Sequence, residues 1–135
     1  MKTDIDLKKD IYDYIKSSDL VASVSGELLM VDRPDDSALE DIVISVLDSD
    51  ASSDIQQAII NVNVYVVDDM TDEGQAIEAS LRLMELSRLS HSALQVGQGN
   101  SGYRFELVSQ RIIKVNGRDE HCINNRIIYK QLIKQ

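Results

Sequence analysis

The chain has 135 residues, 43% of them hydrophobic, and carries 23 Asp and Glu against 14 Lys and Arg, a net charge of −9. That length suits one hydrophobic core and is short for two ordinary domains, and the composition is not that of a disordered chain. Its one cysteine, Cys122, excludes an intramolecular disulfide, and with only His91 and His121 beside it no four-ligand zinc shell of N and S atoms is available.

Taken in chain order, Leu7, Ile11, Tyr14 and Ile15 share one face of a helix predicted over residues 4–18, with Thr3 as N-cap and Asp4 and Asp6 in the first turn. Residues 19–25 read as a turn, 27–31 as a short strand, and Arg33-Pro34-Asp35-Asp36 as a loop. A strand pair follows over about 41–67. Its first member runs from Asp41 to Leu47, and residues 48–54, rich in Ser and Asp, read as a flexible connection. In the second member Ala58, Ile60, Val62, Val64 and Val66 point one way, and Asn61, Asn63 and Tyr65 the other.

A second helix is predicted over about 71–90, with Thr71 as N-cap and a stripe of Ala76, Ile77, Ser80, Leu81, Met84 and Arg88, widened by Leu83 and Leu86. Gly97, Gly99 and Gly102 match G-x-G-x-x-G only literally, because they follow a helix and lead into a strand, the reverse of a dinucleotide site. The last third, about 103–132, reads as a long hairpin closed by Asn116-Gly117 in a type I′ turn, pairing Val115 with Arg118 and Lys114 with Asp119. Alternation slips over residues 108–112, which predicts a bulge or a change of buried face there, and part of so long a hairpin is expected to reach beyond the domain. The expected fold is α+β: a single domain, a mostly antiparallel sheet packed by two helices, with a long C-terminal β-hairpin.

Few side chains suggest catalysis. His91 suits a helix C-terminus, and His121 and Cys122, adjacent on a strand, point to opposite faces and do not form a nucleophile–base pair. The pairs Asp35-Asp36, Asp68-Asp69 and Asp72-Glu73 lack the calcium-loop pattern. The expectation is a protein that is not an enzyme and holds no cofactor or metal. The charged start, residues 1–10, lacks the apolar segment of a signal peptide, and the run around Val64 to Val67 is too short to cross a bilayer, which predicts a chain that is cytoplasmic when made, away from membranes. Charge is unevenly spread: residues 1–100 hold 20 acidic and 7 basic side chains, residues 101–135 hold 3 and 7. So acidic a whole argues against a nucleic-acid partner, and the asymmetry admits either an ordinary solvated surface or complementarity between copies.

The order of elements, a short amphipathic helix, the Arg33-Pro34 loop followed by Ile42-Val43-Ile44-Ser45-Val46, the run 59–68 leading into a helix, and a closing strand pair, resembles the tail-completion or tail-terminator proteins of long-tailed bacteriophages. The chain departs from that family in its acidic Pro loop, which lacks a Tyr after Pro34, and in its long C-terminal hairpin. The resemblance implies a non-enzymatic subunit of a ring, commonly sixfold, whose partners are its own copies and the tail-tube and neck proteins. It also implies that the hairpin contacts a neighbour through Arg104, Arg111, Lys114, Arg118 and Arg126. Two other readings compete with it. One is an acidic monomeric module, of the immunity or inhibitor kind, covering a basic protein partner. The other is a small enzyme with Asp, Glu and Tyr side chains gathered in a pocket by the fold.

Overall fold

Thr3 opens the first helix, α1 (Asp4–Ile15), as a capping box: its hydroxyl accepts from the Asp6 N–H at 3.2 Å, and the Asp6 carboxylate accepts from the Thr3 N–H at 2.9 Å. The computed structural model describes residues 1–52 and 54–133. Leu7, Ile11 and Ile15 are buried as their spacing predicts, whereas Tyr14 is half-exposed and meets the Phe105 ring edge-on with centroids 4.9 Å apart. The helix stops at Ile15 and not at Ser18, because the Ser18 hydroxyl accepts from the Val21 N–H and caps a second short helix, α2 (Asp19–Ser23), where a turn was expected.

The described residues form eight strands, the longer ones from alternating apolar runs: β1 (Leu28–Leu29), β2 (Ile42–Ala51), β3 (Ile55–Val67), β4 (Asp69–Met70), β5 (Ala76–Ile77), β6 (Val96–Gln98), β7 (Tyr103–Lys114) and β8 (Glu120–Leu132). Six form one sheet in the order β1-β2-β3-β8-β7-β6, antiparallel except where β1 runs parallel to β2, and β4 pairs with β5 separately. One face of the large sheet carries Ile42, Ile44, Ala58, Ile60, Val62, Val64, Ile123, Ile127 and Tyr129, and packs under α1 and α3 (Ser80–Leu94) as one core. Each fully buried Ile or Leu there contributes about 1.5–3 kcal/mol. The fold is therefore α+β, with one mostly antiparallel sheet and a C-terminal hairpin, β7–β8.

Several local expectations are corrected. The second helix begins at Ser80, nine residues later than Thr71, because residues 69–77 form the small β4–β5 hairpin. In it Thr71 is a turn residue, its hydroxyl accepting from the Gln75 N–H at 3.0 Å, and Gly74 sits at φ +81°, outside any helix. The buried stripe is correspondingly Leu83, Leu86, Ser90 and Leu94, and Ile77, Leu81 and Met84 face outward. Residues 48–51 are not a flexible connection but continue β2 past a bulge at Leu47, pairing with residues 56–59; Ser53 lies outside the described residues. The expected bulge on the last hairpin falls at Val108. Its turn is not type I′, since only Gly117 has positive φ, and Lys114 pairs with His121 rather than Asp119. The hairpin does not leave the domain as a unit: β8 lies between β3 and β7 and is buried over most of its length, and only the outer half of β7 is exposed.

Candidate assembly interface

Register decides which side chains share a surface. Helices α1, α2 and α3 all bury side chains in the core on one side of the sheet, so no helix among the described residues lies over its other face. Across that face run rows set by strand pairing: Asp50, Gln57, Lys130 and Arg104; Asp48, Ile59, Ile128 and Glu106; Ser45, Asn61, Arg126 and Ser109; Val43, Asn63, Asn124 and Arg111. The polar middle is satisfied internally, with Asn124 Nδ2 donating to Asn63 Oδ1 at 2.7 Å and Arg126 Nε to Asn61 Oδ1 at 3.2 Å. The β2 margin of this face thus carries the carboxylates Asp48 and Asp50, and the β7 margin carries Arg104 and Arg111 with one carboxylate, Glu106, between them.

One end of this face is covered by the loop between β1 and β2. Arg33, nearly buried, donates from Nε to Asp41 Oδ2 at 3.1 Å and from Nη1 to Glu120 Oε1 at 2.7 Å, and lies 4.3 Å above the Tyr65 ring. Arg118 closes the same cluster, donating to the Asp35 and Ser37 carbonyls, with its Nε 3.5 Å from Glu120. Beneath it, burial pushes the Cys122 thiol up to about 12, so it stays neutral at physiological pH. On the far side Arg82 grips Glu40 in bidentate fashion, 2.7 Å to each oxygen, and donates to the Ser23 carbonyl at 2.8 Å, which ties α3 to this loop.

These contacts set the acid response. The Arg82 hydrogen bonds hold the Glu40 carboxyl below its ordinary value, against its burial. Burial alone would raise Asp41, but hydrogen bonds from Ser37, the Glu27 N–H and Arg33 leave it lowered. Groups with depressed folded-state values stabilise the protein above their unfolded values, roughly 4, and that stability is lost as pH falls through the folded ones. Thermal midpoints are expected to be level near neutrality and to fall below about pH 4, more gently in Glu40→Gln. An equal acid slope in that variant would remove Glu40 from the account.

The five basic residues singled out from the sequence separate. Arg104 and Arg111 are exposed on the helix-free face of β7. Arg126 is on that face but partly buried against Asn61, and Arg118 is engaged with its own loop. Lys114 turns to the helix side, 3.9 Å from Asp68, whose other oxygen lies 2.6 Å from His121 Nδ1. Two acidic members of the surface, Asp48 and Asp50, escaped sequence reasoning because Ser and Asp are poor strand formers and their stretch reads as a loop. The signal available was the spacing of Val46, Ser49 and Ala51, which resumes an alternation once a bulge is allowed at Leu47. No helix among the described residues is long and apolar enough to cross a membrane. No protein-family model and no curated protein matches the sequence.

Proposed function

We propose that this chain is a structural subunit that assembles with its own copies into a ring, of the kind that completes a phage tail tube and joins it to the head connector. The observation that carries this reading is the helix-free sheet face, with exposed arginines on its hairpin strand and exposed carboxylates at its opposite margin. The order of α1, the Pro34 loop, the β2–β3 pair, α3 and the β7–β8 hairpin supports it, although the β4–β5 hairpin stands between β3 and the helix that the resemblance has following directly. Strand edges left open in a small domain are an aggregation hazard unless something pairs with them, and assembly is a use for them.

The test is molar mass by light scattering across a wide concentration range and several salt concentrations, with negative-stain electron microscopy of the same samples. Closed rings that weaken as salt rises are expected, because exposed charge pairs are screened. A particle that stays monomeric throughout overturns the reading. It would favour the other one, an acidic module that binds a basic protein one to one, which the net charge of −9 supports through steering.

A further inference from the structure

The large sheet is open along two backbone edges, at opposite ends of its opposite margins. Among the described residues β1 covers β2 at Ile42 and Val43, and β6 with the flanking Gln95 and Gly99 covers β7 from Tyr103 to Leu107. What remains, residues 45–51 on one side and 109–114 on the other, is in each case about the length of an ordinary strand. The Ser52 N–H donates to the Ile55 carbonyl and the Val115 N–H to the Glu120 carbonyl. Antiparallel alternation then turns the backbone groups of Ser49 and Ala51, and of Gln110, Ile112 and Lys114, outward.

The side chains along the two edges are complementary. Asp48 and Asp50 stand on the helix-free face of β2, and Arg111 stands on the same face of β7 with Arg126 behind it. On the helix side, the open part of β7 borders a groove of about 440 Å³ against α3, lined by Met84, Ser87, Arg88, His91, Gln110 and Ile112. The matching positions on β2 are the small Ser49 and Ala51. Exposed apolar side chains sit on both edges, Leu47 on β2 and Val108, Ile112 and Ile113 on β7.

We propose that the open edge of β2 in one copy adds to the open edge of β7 in the next, so that the sheet continues from subunit to subunit. This rests on the self-assembly reading above and specifies its contact. Within the sheet β2 runs antiparallel to β7, so an unbroken continuation makes the new pair antiparallel and keeps the helix-free face on one side. Asp48 and Asp50 then lie beside Arg111, and Ser49 and Ala51 turn toward the α3 groove. A two-fold pairing of β7 with β7 would set Arg111 near its own copy, and one of β2 with β2 would oppose carboxylates; like charges across strands are unfavourable. Charge thus selects a head-to-tail contact, which closes into a ring or runs on as a filament.

The experiment compares the full chain with Asp48→Lys/Asp50→Lys, with Arg111→Glu, and with the triple variant that carries all three, each checked for folding by circular dichroism. Each partial reversal is expected to raise the concentration at half-assembly by at least about tenfold, since juxtaposed like charges cost more than 1.4 kcal/mol. The triple variant is expected to assemble again. If the partial variants assemble as the original does, or the triple variant fails to recover while folded, the β2–β7 pairing is overturned and the assembly reading stands with another contact. If the original chain stays monomeric at every concentration, pairing and reading fall together.

Discussion

Arg33→Ala is expected to lower stability by about 3–5 kcal/mol, the range for removing one partner from a buried ion cluster. The reason lies in what it would leave behind. Asp41 and Glu120 are both buried, and Glu120 Oε2 already has no hydrogen-bond partner among the described residues, so the guanidinium offsets two carboxylates with few alternatives. Arg118, 3.5 Å from Glu120 and partly exposed, replaces only part of that charge. Arg33 Nη2 also donates to the Leu39 carbonyl at 2.9 Å, so its loss frees the loop that covers the end of the sheet. In a domain of this size the thermal midpoint should fall by roughly 10–20 °C. The comparison that separates charge burial from packing is Arg33→Met with Asp41→Asn and Glu120→Gln, which removes the charges together and should be less destabilised than Arg33→Ala. A loss below about 1 kcal/mol in Arg33→Ala would show that water reaches the carboxylates.

That cluster also marks a limit of reading a sequence locally. Arg33 and Glu120 are 87 residues apart, and nothing in the composition of either neighbourhood singles out the pair. By contrast, α1 was legible because its cap, first-turn acids and apolar spacing agree with one another over a dozen residues. β3 was legible because Ala58 to Val66 alternate without interruption on one buried face. Where one residue type serves two local structures, the sequence was ambiguous. Thr71 followed by acids describes both a helix start and a tight turn, and Gly74 with the β4–β5 pairing decides for the turn. Asn116-Gly117 marked the position of the last turn correctly, but not its closure. The Val108 bulge is what brings Arg104 and Arg111, seven residues apart, onto one face, whereas Lys114, three residues beyond Arg111 with no bulge between, alternates to the other. The basic hairpin was therefore visible as composition, whereas its division into an open surface and internally paired residues depends on where the bulge falls and on partners distant in sequence, Asn61 for Arg126 and the β1–β2 loop for Arg118.

The phase of α3 can be tested directly, because two leucines five residues apart differ in everything but type. Leu86 is 0% exposed and belongs to the core cluster beneath the helix, whereas Leu81 is 79% exposed. Leu86→Ala removes buried methyl groups and leaves a cavity that the sheet, held by pairing on both sides of β8, has little freedom to fill, so a loss of about 2–5 kcal/mol is expected. Leu81→Ala should stay within about 0.5 kcal/mol in the monomer, since Ala is the better helix former and little burial is lost. The stripe read from the sequence placed Leu81 at its centre and Leu86 at its margin, and would give more nearly equal losses. Urea unfolding of both variants, with unchanged m-values so that midpoints report stability, distinguishes the two phases. Equal destabilisation would mean that α3 is rotated from the orientation that sets Met84 and Arg88 beside the open edge of β7, and the groove there would lose its wall.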